Sequence, residues 1–388
     1  MEDRLQLQLT DMAYMGEALG RHDGQVVFAA YGIPGEGVVV ELEKRKRGYL
    51  EGVVTEVISP SAHRVAPPCP YFGTCSGCSW QHIDYPFQLE LKQRIVSEQL
   101  RRIGKLEGAP VASTLASPTP YGYRNHARFS VDSQGHLGFV RRQNRRFLRI
   151  DECLIMDPWI NQVLAQLQGK APGVHQVAMR YGVRMGSFLI HPDLGEMNGL
   201  ETGQPFYEEV LLGRRFRVSA ASFFQVNVAQ AERLAEVVRA GLRLSGRELV
   251  VDAYAGVATF AVLLAPSAAH IIAIEESASA QKDAEVNLEG ISNVEFLQAK
   301  TEAALPSLKE RPDAVILDPP RPGCHRKVLS ALLDLHPRRV VYVSCNPATL
   351  ARDLAVLVGG GYRLQEIQPA DMFPQTYHIE AVAVLEWT

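Results

Sequence analysis

The sequence lacks any run of eighteen apolar residues, and this absence predicts that no helix spans a membrane. It also lacks a secretory signal, because residues 1–20 are acidic and polar where such a signal is basic and then apolar. Together the two absences predict a cytoplasmic protein. The chain has only six cysteines, and in a reducing compartment such cysteines are more typical of ligands or nucleophiles than of disulfides.

The sequence also lacks a strong net charge, and its formal charge of −3 argues against a uniformly basic coat for nucleic acid. The charge is nevertheless unevenly distributed. Residues 101–150 contain ten Lys or Arg residues and only Glu107 and Asp132 as acids. A solvated charged face would explain a single arginine cluster, but a surplus of arginine with so little acid favours a surface that contacts phosphate groups.

No internal repeat or low-complexity tract is present, and a chain of 388 residues predicts two or three domains. Residues 1–58 contain β-rich runs separated by glycine and proline turns, such as the turn at residues 32–35. This pattern predicts a small β-barrel, a fold that commonly binds oligonucleotides. The basic run at residues 44–47 (Lys-Arg-Lys-Arg) is predicted to lie in the turn between two strands.

A cysteine-rich segment follows, in which Cys69, Cys75 and Cys78 are spaced as C-x5-C-x2-C, and a fourth cysteine, Cys153, stands far along the chain. Two thiolates separated by two residues can bind one centre, and four suit either tetrahedral zinc or an iron–sulfur cluster. The spacing alone does not choose between them, and the alternative is a set of unligated cysteines. Either centre requires that the chain from 69 to 153 folds back on itself.

Residues 59–220 are predicted to form a mixed, mostly β central domain that contains this cysteine array. The segment Leu89–Ile103 has apolar residues at helical spacing with charges between them, which predicts an amphipathic helix. Short strands are predicted at residues 126–131, 137–140, 177–181 and 186–191.

Residues 221–388 change to an alternation of helices and strands. A helix is predicted after Asn227, up to about Leu244. Five strands follow, at residues 249–251, 271–274, 294–297, 314–317 and 340–343. Such alternation is typical of an α/β fold with a doubly wound, Rossmann-like parallel sheet that has helices on both faces.

The ends of these strands carry the residues that predict a cofactor. The loop at residues 252–256 (Asp-x-Tyr-x-Gly) contains small residues that let a ligand approach closely. Glu275 ends the second strand, where an acid can accept hydrogen bonds from ribose hydroxyls, and Asp318 ends the fourth. The loop lacks the G-x-G-x-x-G phosphate cradle, which favours S-adenosylmethionine over a dinucleotide.

Cys345 directly follows the fifth strand, in the sequence Ser344-Cys345-Asn346-Pro347, and a helical run comes next. In an open α/β sheet, ligands and chemistry collect at this edge. Taken alone, however, an unpaired cysteine is more often a small core hydrophobe than a nucleophile.

Five motifs stand in a fixed order along the chain: SFFQVN (222–227), DAYAG (252–256), LDPPRPG (317–323), SCNP (344–347) and FPQTYHIEAV (373–382). With these motifs the sequence resembles the RNA 5-methyluridine methyltransferases over essentially its whole length. The cysteine array and the leading barrel narrow the resemblance to the 23S ribosomal RNA branch, whose members carry an N-terminal TRAM domain and a 4Fe–4S cluster.

The resemblance implies a role for each matching residue, with Cys345 as the nucleophile and Glu380 as the general base. The positions that match cofactor contacts are Gln225, Tyr254, Thr259, Glu275, Lys300 and Asp318, and those that match cluster ligands are Cys69, Cys75, Cys78 and Cys153. Three positions depart from the family pattern: Ala258 replaces a glycine that is usual there, and Thr259 and Lys300 each stand where asparagine is more common.

The implied reaction is methylation of uridine at C5 in RNA. Uracil C5 is a weak nucleophile, but addition of the Cys345 thiolate to C6 places electron density on C5. Glu380 would then remove the C5 proton, so that the thiolate can leave. His378 would either orient Glu380 from the same face of a strand or be a polar core residue, and the second reading is favoured.

Ribosomal RNA is the first expected substrate and transfer RNA the alternative, and the chain is predicted to be a monomer. A non-catalytic RNA-binding or assembly homologue would have no need of both Cys345 and Glu380. A cytosine or amino-group methyltransferase is disfavoured, because amino-methylating enzymes have an aromatic residue where this chain has Arg321.

Overall fold

The computed structural model describes residues 3–197 and 199–387. The N-terminal part has five strands: β1 (Arg4–Met12), β2 (Ala18–His22), β3 (Gln25–Ala30), β4 (Gly37–Lys46) and β5 (Tyr49–Ser59). They close into a barrel in the order β1-β2-β3-β5-β4. In β1 the apolar residues Leu5, Leu7 and Leu9 point into the barrel and alternate with exposed polar residues. The predicted barrel is confirmed.

The basic run at residues 44–47 lies differently from the prediction. Its first three residues belong to β4, where Lys46 pairs with Tyr49 of β5. Only Arg47 and Gly48 form the turn. Gly48 has a φ of 108°, a backbone conformation that favours glycine. The prediction was wrong because a two-residue turn lets both strands run longer than a charged tip suggests.

The first helix, α1 (Tyr85–Gln99), begins four residues before the predicted start at Leu89. The Asp84 carboxylate accepts a hydrogen bond from the Phe87 backbone N–H at 2.8 Å, and a proline stands in the first turn. A short π-helix (Leu100–Gly104) continues α1. The buried face of α1 belongs to the same apolar core as the barrel and the C-terminal sheet.

The central part contains β6 (His126–Val131), β7 (Leu137–Val140), β8 (Phe147–Arg149), α2 (Pro158–Leu167), β9 (Gln176–Tyr181) and β10 (Phe188–His191). The strands form an antiparallel sheet in the order β10-β9-β6-β7-β8. The predicted bounds of β6 and β7 agree with the structure residue for residue. β10 begins at Phe188 rather than at 186, because Gly186 has a φ of 68° and lies in a turn.

A hairpin of β11 (Phe206–Leu211) and β12 (Arg214–Ser219) precedes α3 (Val228–Leu242). Asn227 caps α3 by accepting a hydrogen bond from the Gln230 backbone N–H. The hairpin shares an apolar core with α3 and the C-terminal sheet. It nevertheless lies before residue 220, the predicted end of the central domain. The division of the chain at 58/59 and 220/221 stays a prediction.

The C-terminal part contains β13 (Leu249–Ala253), α4 (Thr259–Leu264), β14 (His270–Glu275), α5 (Ala278–Asn287), β15 (Val294–Gln298), α6 (Thr301–Ala304), β16 (Ala314–Leu317), α7 (Arg326–Leu335), β17 (Arg339–Ser344), α8 (Pro347–Gly359), β18 (Tyr362–Ala370) and β19 (Glu380–Trp387), with short 3₁₀ turns at Ala265–Ser267 and Leu305–Ser307. The seven strands form one sheet, here called the large sheet, in the order β15-β14-β13-β16-β17-β19-β18.

The first five strands of the large sheet are parallel, as predicted, but β19 is antiparallel to both β17 and β18. The predicted parallel sheet of five strands is thus present, and β18 and β19 are two further strands at its edge that the sequence pattern did not predict. A strand that is buried on both faces is a continuous apolar run whichever way it points, so composition does not reveal direction. The direction matters, because it brings the first residue of β19 to the edge where β17 ends.

No helix in the ranges 3–197 and 199–387 combines the length and the apolar character that a membrane crossing needs.

Candidate active site

A cavity of about 560 Å³ opens at the carboxyl ends of the parallel strands of the large sheet. All eight residues that the sequence predicted for catalysis or cofactor binding line it: Gln225, Tyr254, Thr259, Glu275, Lys300, Asp318, Cys345 and Glu380. They come from segments between residues 225 and 380 that only the fold brings together.

The loop that carries Cys345 is held by hydrogen bonds on both sides of the cysteine. Ser344, the last residue of β17, accepts a hydrogen bond at its Oγ from the Asn346 backbone N–H at 3.1 Å. Asn346 in turn caps α8, since its Oδ1 accepts from the Ala348 N–H at 3.1 Å and from the Thr349 N–H at 3.4 Å. The half-buried thiol therefore sits on a fixed turn between a buried strand and a capped helix.

Glu380 reaches the same edge through the antiparallel pairing of β19. Ser344 is the register partner of Ala381, so Glu380 lies beside the loop that starts at Cys345. Glu380 is buried, and only 5% of its surface is exposed. Burial, followed by the charge of Asp318, raises the pKa of Glu380 well above its usual value, while Arg321 opposes this shift.

The thiol of Cys345 is not activated in advance. Burial, and then the charges of Glu380 and Asp318, raise its pKa to about 11, with Arg321 acting in the opposite direction. At neutral pH the thiol therefore keeps its proton. A nucleophilic cysteine needs a depressed pKa or a nearby proton acceptor, and the carboxyls of Asp318 and Glu380 are the candidate acceptors here.

Two further carboxyl groups lie at this edge of the sheet, Asp318 in the cavity lining and Asp252 fully buried. Burial raises the pKa of Asp318 to about 7. Burial, with the charges of Asp318 and Glu275, also raises the pKa of Asp252 to about 7. Asp252 accepts a hydrogen bond from the Ala261 N–H at Oδ2, and no described residue donates to its Oδ1. Clustered, desolvated carboxyls favour either bound protons or a cationic ligand.

Glu275 is oriented by the backbone. Its Oε2 accepts a hydrogen bond from the Gly256 N–H at 3.0 Å, and its Oε1 accepts from the Ser277 N–H at 2.8 Å. Each carboxylate oxygen retains a free lone-pair site, so the group can accept further hydrogen bonds from a ligand in the cavity.

The turn at residues 254–258 is conformationally demanding. Ala258 has a φ of 67°, in the left-handed region that favours glycine, and it is fully buried at the start of α4. This conformation explains why a glycine is usual in the family. Thr259, the next residue, lines the cavity as the first residue of α4, and Lys300 lines it from the residue before α6.

His378 does not share a strand face with Glu380, because β19 begins only at Glu380. Its ring packs against Tyr377 and Phe373, with centroid distances of 4.4 and 5.7 Å. Burial and the charge of Arg321 lower its pKa to about 4, so the ring is neutral. None of the hydrogen bonds found among the described residues joins it to Glu380. His378 also lines the cavity, so its reading as a polar core residue stays a prediction.

Arg321 is a cavity residue that the sequence analysis did not assign to the site. It lines the cavity, and its charge opposes the raised pKa values of both Cys345 and Glu380. Its place after the double proline of LDPPRPG was a usable signal, because a cation beside a strand-end carboxylate is unusual in a packing turn. Phe223 also lines the cavity while 69% exposed, which marks the mouth of the site.

The four predicted cluster cysteines come together away from this cavity. Burial raises the pKa of Cys78 to about 12, and the charges of Cys153, Cys75 and Cys69 add to the rise. As predicted, the chain between 69 and 153 folds back, and Cys75 forms a β-bridge with Arg141. Within the described ranges, no group of three or more His, Cys, Asp or Glu side chains is arranged to hold a metal ion.

Comparison with known proteins decides the family. Residues 208–388 match the sequence pattern of the family described as tRNA (Uracil-5-)-methyltransferase. An uncharacterized RNA methyltransferase of Gloeobacter violaceus is 37% identical, over 97% of this chain and 95% of its own length. Another, from Thermosynechococcus vestitus, is 36% identical, over 98% of this chain and 97% of its own. The chain belongs to the RNA uracil-5-methyltransferase family.

The N-terminal barrel of this RNA uracil-5-methyltransferase matches the TRAM domain at residues 5–55, as the resemblance implied. The fold also matches a solved structure, that of Pyrococcus abyssi tRNA (uracil-54, C5)-methyltransferase in complex with S-adenosyl-L-homocysteine. The two agree with a TM-score of 0.77 and 26% identity over 98% of this chain and 100% of the other. The predicted fold and the predicted enzyme class are confirmed.

Proposed function

We propose that this methyltransferase methylates uridine at C5 in RNA with S-adenosylmethionine, that Cys345 is the nucleophile, and that Glu380 is the base. The observation that carries the proposal is the register of β17 and β19. It places a thiol and a strongly desolvated carboxyl at the same end of two adjacent strands, on one cavity. Covalent catalysis needs this combination of a nucleophile and a proton acceptor.

The cavity is chemically suited to S-adenosylmethionine, which when bound supplies a methyl group on a positively charged sulfur. The desolvated carboxyl of Asp318 in the cavity favours a cation, and Glu275 presents free acceptor sites for ribose hydroxyls. The residues proposed to hold the cofactor are Gln225, Tyr254, Thr259, Glu275, Lys300 and Asp318. The Pyrococcus abyssi enzyme, solved with S-adenosyl-L-homocysteine, supports the assignment.

The residues then act in a fixed order. Cys345 passes its proton to Asp318, whose pKa of about 7 leaves it able to accept one at neutral pH, so that Glu380 stays free as a base. The Cys345 Sγ forms a bond to C6 of the uracil, which places the electron pair on C5. After C5 has gained its methyl group, Glu380 removes the proton from C5, and the electron pair expels the Cys345 thiolate from C6. A carboxylate with a raised pKa is a stronger base, so burial of Glu380 suits this step.

We further propose that the RNA lies across the turn between β7 and β8 and the barrel. Arg141, Arg145 and Arg146 are exposed in this turn. In the described part of the chain, the ion pairs of the turn are those of Arg142 with Glu43 of β4 and of Arg149 with Asp151. The three other arginines are left for phosphate groups, and the Arg142 pair makes the turn continuous with the barrel.

Ribosomal RNA stays our proposal for the substrate, because the motifs resemble the 23S ribosomal RNA branch. Transfer RNA is the second candidate, favoured by the match to the Pyrococcus abyssi transfer RNA enzyme. Mass spectrometry of both RNA classes from a strain that lacks the protein separates the two. Loss of 5-methyluridine from ribosomal RNA is expected, and loss from transfer RNA alone would establish the second candidate. A cytoplasmic location and a monomeric state remain predictions.

We propose that Cys69, Cys75, Cys78 and Cys153 bind a 4Fe–4S cluster that supports the fold. In a cubane cluster each cysteine binds a different iron, so the four sulfurs stand further apart than the ligands of one ion. The charges of the four thiols act on one another, which supports one shared centre. Iron and acid-labile sulfide in anaerobically purified protein would support it, and their absence from otherwise folded protein would refute it.

The decisive experiment uses RNA that contains 5-fluorouridine, analysed on a denaturing gel. Fluorine at C5 cannot be removed as a proton, so the protein–RNA adduct cannot resolve. A cofactor-dependent covalent band is expected with the unmodified enzyme and should be absent with Cys345→Ala. If no band forms under any condition, the proposed mechanism is wrong, and the non-catalytic alternative gains support.

A further inference from the structure

The loop between β1 and β2 of the N-terminal barrel reaches the loop that carries Cys345. The Tyr14 hydroxyl donates a hydrogen bond to Asn346 Oδ1 at 3.0 Å, across 332 residues of sequence. Asn346 is the residue directly after Cys345. A side chain of the barrel therefore contacts the segment on which the proposed nucleophile depends.

Asn346 is the point at which several constraints on that segment meet. Its Oδ1 caps α8, and its Nδ2 donates to the Arg321 carbonyl at 3.1 Å. The second bond ties the Cys345 loop to the loop of Asp318, so both walls of the cavity depend on the orientation of one amide. The Tyr14 hydroxyl is a further donor to this amide, and it fixes which end of the amide is the acceptor.

The barrel loop is docked firmly enough to hold Tyr14 in place. Gly16 packs so closely on Tyr377 that a Cβ at Gly16 would lie 2.6 Å from the Tyr377 Cβ, and its φ of 92° favours glycine. The Gly16 carbonyl accepts a hydrogen bond from Nε1 of the buried Trp80 at 3.0 Å. Trp80 is also joined to the Glu380 side of the cavity, because its backbone N–H donates to the Gln375 carbonyl.

Tyr14 is suited to be a constant donor. Burial, and then the charges of Cys345 and Tyr377, raise its pKa to about 12, so the phenol keeps its proton throughout the working range of an enzyme.

We propose that Tyr14 is a positioning residue for the nucleophile, so that the N-terminal barrel completes the active site in addition to binding RNA. This inference rests on the proposed role of Cys345. Through Asn346, Tyr14 fixes the loop so that the Cys345 Sγ meets C6 of the flipped-out base. Loss of the hydroxyl leaves the fold and the RNA surface intact but loosens the loop.

The test is Tyr14→Phe, with Tyr31→Phe as the matched control. Tyr31 is also a barrel tyrosine whose hydroxyl donates to a backbone carbonyl outside the barrel, that of Gly73. For Tyr14→Phe we expect kcat to fall about five- to tenfold, the effect of losing one hydrogen bond that orients the nucleophile's loop, with KM for RNA unchanged. The rate of adduct formation on 5-fluorouridine RNA should fall by the same factor. Tyr31→Phe should match the unmodified enzyme.

A second variant, Gly16→Ala, moves the whole loop from Tyr377 and should lower kcat further. Unchanged kcat in Tyr14→Phe would overturn the inference, and so would an equal loss in Tyr31→Phe or a change confined to KM. If Cys345→Ala itself kept full activity, the proposed function would fail instead, so the two failures are distinguishable.

Discussion

Two groups of free thiols, Cys345 on its own and the set that contains Cys78 and Cys153, have raised pKa values for different reasons. At Cys345 the charges that add to the effect of burial belong to carboxyls, Glu380 and Asp318. At Cys78 and Cys153 they belong to other thiols of the same set. A thiol beside carboxyls can pass its proton to a base, whereas thiols beside thiols can share a soft metal centre. The neighbours, rather than the thiol pKa, separate the proposed nucleophile from the proposed ligands.

The largest effects should come from substituting one cysteine of each set, in two separate variants. Cys345→Ala should lower methyl transfer by about 10³-fold or more, since no other group can form the bond to C6, and it should leave the iron content unchanged. Cys75→Ser should lose iron and melt at a lower temperature. Its remaining folded fraction should still form the covalent band. An iron loss in Cys345→Ala would erase the distinction between the two sets.

The surroundings of the two sets also differ in charge, since arginines flank the cysteine loop and carboxyls line the cavity. The double variant Arg145→Gln/Arg146→Gln should weaken RNA binding about tenfold at low salt and lower the slope of log Kd against log salt by about two. The control is Arg338→Gln, which replaces an exposed arginine directly before β17. If both variants bound RNA equally well, the proposed RNA path would be wrong.

On the cavity side, the raised pKa of Asp252, about 7, makes stability depend on pH. The folded protein holds this proton more tightly than the unfolded chain, so the stabilisation is complete below about pH 4 and is lost as the pH rises through 7. Denaturant titrations should show that the free energy of unfolding falls between pH 5 and pH 8. In Asp252→Asn this fall should be smaller by an amount on the order of 2 kcal/mol. The exposed substitution Asp334→Asn should leave the difference unchanged, and an equal effect of both would contradict the account.

The smallest effect compares the two loops of the cavity. The Cys345 loop is held by side-chain caps, whereas the loop at residues 254–258 contains Ala258 at a φ of 67°. Ala258→Gly should relieve this conformation and stabilise the protein by about 1 kcal/mol, measured by thermal unfolding. Ala255→Gly, in the same loop without a positive φ, should destabilise it instead. Destabilisation by both would show that packing outweighs the backbone at Ala258.

The sequence allowed much of the fold and the site to be predicted, because local patterns mark the ends of buried strands. Glu275, Asp318 and Cys345 could each be placed at one sheet edge by the rule that parallel strands share their carboxyl ends. Glu380 could be assigned only through the family resemblance. Its contact with that edge depends on an antiparallel strand whose direction the apolar run does not encode.

Tyr14 could not have been found by pattern at all. A single tyrosine in a barrel loop has no periodicity or motif, and its partner stands 332 residues further along the chain. The raised pKa of Cys345 was equally hidden, because it results from burial and from charges that only the folded chain brings near.

The most direct test of the account is to find where RNA becomes attached when the base is removed. Glu380→Gln, incubated with S-adenosylmethionine and ordinary uridine RNA, should accumulate a covalent adduct, because the C5 proton stays in place. Digestion and mass spectrometry should locate the methylated uridine on the peptide that contains Cys345, and Glu366→Gln, an exposed change on β18, should show no accumulation. An adduct on any other cysteine, or normal turnover by Glu380→Gln, would contradict the account.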